Sequence, residues 1–201
     1  MEFMEVIRKR RSIRKYKPEP VPDEYIHEIL EAARLAPSGT NLQPWRFVLV
    51  KSAEKRQQLA EHTLKFVTSA PVVVACCIDL TAYKHTPQRI KELVEAGAFT
   101  GTDLENISGD EYMKRRQAMD EKALRAYAST NCAIAIEHLI LRATDLGLGT
   151  CWIMMFKQSG VRRVLELGEN IQVVALVPLG YADQKPAPRP RLPIDDLMQE
   201  V

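Results

Sequence analysis

The sequence predicts an α+β fold with a central, mostly antiparallel sheet flanked by helices. Three observations carry that prediction. Val72–Ile78 is an unbroken apolar run after Pro71, rich in β-branched residues, of the length of one strand buried on both faces and far too short to span a bilayer. Cys132–Leu141 is apolar almost all round, as a helix at the centre of a core must be. The strand-like stretches are separated by helices and loops of varied length, without the even rhythm of a doubly wound fold.

The elements follow in order. Met1–Lys9 forms a short helix with Phe3 and Ile7 on one side, and Pro18, Pro20 and Pro22 stiffen the connector behind it. Pro22 opens a helix whose Ile26, Ile29, Leu30 and Ala33 share a buried face. Pro37 stops that helix. Pro37-Ser38-Gly39-Thr40-Asn41 is loop chemistry, and Gln43-Pro44-Trp45 leads into a strand at Arg46–Val50. Ser52 caps a helix, a further turn carries Lys65 and Phe66, and Pro71 then delivers the Val72–Ile78 strand. Thr86-Pro87 opens a short helix that Gly97 and Gly101 break, and Ser108 to Glu111 has the spacing of a capping box. From Asp110 to Asp145 there is no Gly or Pro, which allows one long helix or two with a break. Thr150–Phe156 reads as a third strand, Val161–Leu167 as an amphipathic helix and Val173–Tyr181 as a fourth strand. Four prolines between Lys185 and Pro193 make the tail an extended arm.

Composition bounds the function. An apolar content of 46% over 201 residues is that of a globular chain, read here as one domain over residues 1–201. There is no secretory h-region, and the four cysteines show no CxxC or metal spacing, so reduced buried thiols in a cytoplasmic protein are expected. Scattered histidines argue against a metal site. No GxGxxG, P-loop or GxSxG pattern occurs, so a bound organic cofactor would have to do any hard chemistry.

Charge is concentrated in one place. Seven of the ten residues Arg8–Lys17 are basic, and the rest of the chain holds 21 basic against 26 acidic residues. Such a cluster is sustained by an anion among its members, and Arg forks suit phosphate oxygens. Nucleic acid is one anion the cluster could meet, but only Tyr16 is interleaved with it and no reading helix or stacking platform is visible. Arg189 and Arg191 add a second pair in the arm. In the Pro37–Trp45 loop, Gly39 permits close backbone approach, and Asn41 and Gln43 offer amides that suit a flat heterocycle.

Four segments together resemble one family. Arg10-Arg11-Ser12-x-Arg14-x-Tyr16, Ala36-Pro-Ser-Gly-Thr-Asn-Leu-Gln-Pro-Trp45, Leu146-Gly-Leu-Gly-Thr-Cys-Trp152 and Arg189-Pro-Arg-Leu-Pro193 look like the FMN-dependent nitroreductases, in order and spacing. That resemblance implies an α+β homodimer with FMN in the interface and the arm completing the dimer. Arg10, Arg11, Ser12 and Arg14 would hold the phosphate and ribityl end, joined by Arg189 and Arg191. Pro37, Ser38, Gly39 and Asn41 would line the flavin from the other subunit. Lys65 falls where many members place a lysine near flavin N1 and O2. Met154-Met155 occupies the place of a Glu-Gly pair whose backbone N–H faces flavin N5, so Met154 is expected at the ring. The implied activity is hydride transfer from NADH or NADPH through FMN to a small organic acceptor such as a nitroaromatic or quinone. No protein side chain is expected to act as catalytic acid or base.

Two alternatives stand beside it. Another FMN-dependent reaction, such as flavin reduction, reductive dehalogenation or consumption of reduced flavin, would be decided by the helical excursion at 81–127. There Tyr83, Tyr112 and Tyr127 with Lys114, Arg115 and Arg116 are read either as contacts for an acidic substrate or as a solvated helix face. A non-catalytic nucleic-acid or phosphate binding protein would show steep salt dependence and no chromophore.

Overall fold

The computed structural model describes residues 1–106 and 108–201, and the backbone only of Arg115. The reading of Arg115 as a substrate contact therefore lies outside the described residues. Two helices come first, α1 (Phe3–Lys9) and α2 (Asp23–Arg34), followed by a 3-10 turn at Gly39–Asn41 and strand β1 (Trp45–Val50). Helices α3 (Ala53–Leu59) and α4 (Lys65–Ser69) lead into β2 (Val72–Asp79). The excursion carries α5 (Thr86–Glu95) and α6 (Gly109–Gln117) and ends in the long α7 (Glu121–Asp145). Strand β3 (Gly149–Thr150), α8 (Gln158–Val164) and β4 (Ile171–Gly180) follow, and the arm beyond them is irregular apart from a 3-10 turn at Ile194–Asp196.

The four strands form one antiparallel sheet in the order β1-β2-β4-β3, as the α+β reading requires. β2 lies inside it, and its period-two alternation feeds two cores. Val72, Val74, Cys76 and Ile78 face the cluster built with Ile26 and Ile29 of α2 and Ile136 and Leu139 of α7. Val73, Ala75 and Cys77 face Leu59 of α3, Val67 of α4 and Val161 of α8. A strand with helices on both faces reads as continuous apolar sequence, and full burial of each Val or Ile contributes about 1.5–3 kcal/mol.

The caps explain the helix boundaries. Ser108 Oγ accepts from the Glu111 N–H at 3.2 Å and starts α6. Asp120 Oδ1 accepts from the Ala123 N–H at 2.7 Å, so a new N-cap divides the glycine-free stretch and two helices form rather than one. One expectation fails. The third strand is only Gly149–Thr150, not Thr150–Phe156, because the chain leaves the ladder after Thr150. Ile153 keeps a single bridge to Leu176, while Phe156 pairs with Thr63 and the Lys157 N–H donates to His62 O at 2.8 Å. At its end the chain has moved from β4 to the 62–63 segment, which takes the backbone pairing of Phe156 and Lys157.

Candidate functional site

The basic cluster sits where α1 ends. The backbone N–H of Arg10 donates to Val6 O at 2.9 Å, which closes the helix. The next residues turn to run beside β3, with Ser12 bridged to Thr150 in parallel sense and the Ile13 N–H donating to Thr150 O at 2.8 Å. Tyr16 fixes the turn: its hydroxyl donates to Ile13 O at 2.6 Å, and burial raises its pKa well above the usual phenol range. Gly149 is required here, since a Cβ would come within 2.7 Å of Ile13.

The arm returns to this place. A cavity of about 530 Å³ is lined by Arg8, Arg10, Arg11, Ser12, Arg189 and Arg191, with apolar sides from Ile7 and Pro186–Pro188. No carboxylate lines it, and among the described residues none of the five arginines forms an ion pair. Five guanidiniums without a carboxylate partner among the described residues, and a hydroxyl, around one cavity are a donor set for a compact oxyanion, and a phosphomonoester fits it. The arginines are not equivalent. Arg11 turns back, donating to Arg8 O at 2.6 Å and Arg10 O at 2.8 Å, so part of its fork satisfies carbonyls at the end of α1. The guanidiniums of Arg10, Arg8 and Arg189 donate to no protein acceptor among the described residues.

Arg14 is placed differently. It does not line the cavity; its guanidinium lies 5.9 Å from the centre of the Phe66 ring. That puts Arg14 against α4, whose exposed first residue is Lys65. Met154 belongs to the same edge, because Thr63 bonds Met155 O at 3.1 Å just before α4 begins. Met154 and Met155 are 68% and 70% exposed, an apolar pair with nothing over it. Cys151, buried between β3 and this edge, lies against Ser12. Burial raises its thiol pKa, while Arg14, a hydrogen bond with Ser12 and Arg10 pull it back.

The Pro37–Asn41 loop is built on other supports. Gly39 N–H donates to Asn131 Oδ1 at 2.7 Å, and Asn131 Nδ2 donates to Tyr127 O at 2.8 Å. The Gln43 N–H donates to Ser38 Oγ at 3.0 Å, and Gln43 Nε2 to Asn41 Oδ1 at 3.1 Å. Thr40, Asn41 and Gln43 all take left-handed φ, at 54°, 50° and 49°. Such backbone strain persists only where its surroundings fix it, and it concentrates at functional loops. Pro37 is exposed at the start of the loop.

The two halves do not meet within one chain. The arginine cavity lies near the C-terminal end of α7, where the Met1 amino group pairs with Asp145 at 2.8 Å and Ser12 pairs with Thr150. Gly39 hangs from Asn131, roughly 20 Å back along the same helix at 1.5 Å per residue. None of Pro37, Ser38, Gly39 or Asn41 lines the cavity. Arg116, read from sequence as a contact for an acidic substrate or as part of a solvated face, instead stacks its guanidinium 3.6 Å from the centre of the Tyr127 ring. Asn131 carried no sequence signal, since it acquires its place through the Gly39 N–H, distant in the chain; Tyr127 was read only as one of the excursion's candidate substrate contacts, and Cys151 only as part of the Leu146–Trp152 motif.

Comparison with known proteins decides the family. The model of the "Nitroreductase family" matches residues 7–181. The chain belongs to the nitroreductase family, and with it to the oxidoreductases. It is 35% identical over 197 residues to a Thermus thermophilus protein named NADH dehydrogenase, covering 93% of this chain and 90% of the relative. A Streptococcus pyogenes protein named as an NAD(P)H nitroreductase is 31% identical, covering 99% of each. A nitroreductase-type protein of Exiguobacterium sibiricum, solved in complex with FMN, superposes with a TM-score of 0.87 at 26% identity, covering 100% of this chain and 98% of that one. Among the described residues no helix is long and apolar enough to cross a membrane.

Proposed function

We propose that this nitroreductase-family protein is an FMN-dependent oxidoreductase that moves hydride from NADH or NADPH to a small organic acceptor such as a nitroaromatic or quinone. The observation that carries the reading is the arginine cavity, which presents Ser12 and five guanidiniums that make no ion pair among the described residues, with no carboxylate in its lining. The FMN-bound relative and the names of the NADH and NAD(P)H relatives support the same cofactor and reductant.

Each residue then has a task. Arg10, Ser12, Arg189 and Arg191 bind the phosphate, and Arg11 joins them with the part of its fork that faces the cavity. Arg14 and Lys65 bring positive charge to the edge that carries Met154. A cation there favours negative charge on whatever it faces. The Met154 backbone N–H is a donor that survives a change of side chain, and the two exposed methionine side chains make an apolar, adaptable wall. FMN bound there supplies the hydride chemistry that no side chain of the chain provides.

The separation of the loop from the cavity supports a homodimer. Pro37, Ser38, Gly39 and Asn41 reach the cofactor of a second copy, and a two-fold axis completes two sites at once. The exposed apolar residues of the arm, Leu192, Ile194, Leu197 and Met198, are consistent with an arm that lies on a partner.

The test uses the purified protein. It should be yellow, sediment as a dimer, and lose its flavin absorption on addition of NADH or NADPH, with recovery when a quinone or nitroaromatic is supplied. Colourless protein that ignores added FMN would refute the reading.

A further inference from the structure

The excursion between β2 and α7 is fastened to the Gly39 loop through one aromatic ring. α5 packs against the turn Gly39–Asn41, and α6 starts so close to α5 that a Cβ on Gly109 would come within 2.8 Å of Pro87 Cα. At the far end of α6, the Arg116 guanidinium lies 3.6 Å from the centre of the Tyr127 ring, across the break between α6 and α7. The other side of Tyr127 meets the loop. A Cβ on Gly39 would fall 1.9 Å from Tyr127 Oη but 2.9 Å from Cζ, so the hydroxyl is the atom in contact.

That hydroxyl is buried and has no hydrogen-bond partner among the described residues. Burying an unpaired hydroxyl is unfavourable, and packing alone would be served by phenylalanine. What the oxygen adds is reach. It fills the space that only a glycine leaves, while Asn131 Oδ1 takes the Gly39 N–H at 2.7 Å from the same helix. The strained residues Thr40, Asn41 and Gln43 follow directly and need such a fixed point.

We propose that Tyr127, pinned by Arg116, is a positioning residue for the Gly39 loop, so that the 82–117 excursion governs flavin affinity without touching the flavin. The part concerning flavin rests on the reading of that loop as flavin-lining. Arg116, whose Nη1 also reaches Met119 Sδ at 3.7 Å, then acts on the site through Tyr127.

The experiment compares wild type with Arg116→Gln, Arg116→Lys, Tyr127→Leu and the Arg116→Gln/Tyr127→Leu double variant. Two quantities are read: amide exchange at the Gly39 N–H in the flavin-free protein, and the FMN dissociation constant. Arg116→Gln and Tyr127→Leu should each accelerate Gly39 exchange and weaken FMN binding, on the order of tenfold, in keeping with a partly buried cation–π contact. Arg116→Lys, which keeps the cation, should stay within about threefold of wild type. The double variant should be no weaker than Tyr127→Leu alone, because Arg116 acts through that ring. Additive effects, or Gly39 exchange and FMN binding unchanged while thermal stability drops, would overturn the proposal. If wild type binds no FMN, the exchange readout still decides the coupling and the failure belongs to the flavin reading. Arg116→Gln changes a residue outside the core, so the question stays answerable should Tyr127→Leu fail to fold.

Discussion

Arg10→Ala and Arg11→Ala separate cofactor binding from folding at adjacent positions. The Arg10 guanidinium makes no hydrogen bond or ion pair among the described residues, and the bond that closes α1 comes from its backbone N–H. Truncation should therefore change the stability of the flavin-free protein by no more than about 0.5 kcal/mol. The loss falls on the ligand. A hydrogen bond to a charged group contributes about 1.5–3 kcal/mol, so the FMN dissociation constant should rise roughly 10- to 150-fold. Arg11→Ala should behave in the opposite way. Its bonds to Arg8 O and Arg10 O, at 2.6 and 2.8 Å, satisfy carbonyls that α1 leaves without intrahelical partners. At about 0.5–1.5 kcal/mol for each bond, the melting temperature of the flavin-free protein should fall by a few degrees. The effect on FMN affinity should be smaller than that of Arg10→Ala. Flavin fluorescence titration and calorimetric melting of both variants provide the assay. Wild-type FMN affinity in Arg10→Ala would mean that the phosphate is bound elsewhere. Equal loss of melting temperature in the two variants would refute the assignment of Arg11 to the helix end.

Two further predictions concern the folded frame. Gly160→Ala in α8 places a Cβ 2.4 Å from Cγ and Nδ1 of His62, so the helix must shift; thermal melting should show a loss of about 1–3 kcal/mol with FMN affinity unchanged. Burial pushes the Cys77 and Cys132 thiols up to about 12 from an ordinary value of 9.0. The unfolded chain releases those protons first, so their contribution to stability is complete below pH 9 and is lost as the pH climbs toward 12, which denaturant melts across that range would show. Stability that is flat across the window would count against the burial of Cys132 between α7 and the sheet and of Cys77 against α3, α4 and α8.

How much of this was legible in the sequence depends on where a residue's partner lies. Val72–Ile78 announced a strand covered on both faces because each side chain in the run must be buried, whatever covers it. Ser108 and Asp120 cap their helices through N–H groups three residues on, and the capping-box spacing at Ser108 was visible for that reason. The meeting of Arg10, Ser12, Arg189 and Arg191 was foreshadowed by charge and by an arm too rich in proline to pack as helix or central strand, and the cavity brings these residues together. The third strand differs because Cys151–Phe156 has strand composition, while only Ile153 keeps its bonds to β4 and the end of the stretch, Phe156 and Lys157, pairs with Thr63 and His62. Arg10 and Arg11 are indistinguishable as neighbours in a basic run; only the turn after α1 sends one fork to a helix end and leaves the other open. Arg116 was one charge among many until the break before Asp120 folded it over Tyr127. A residue whose role is set within a turn of its own position can be read from the chain. Tyr127 was read from the chain only as one of several side chains that could meet an acidic substrate; its partners Arg116 and Gly39 come from two other elements, and only the fold shows that it joins them.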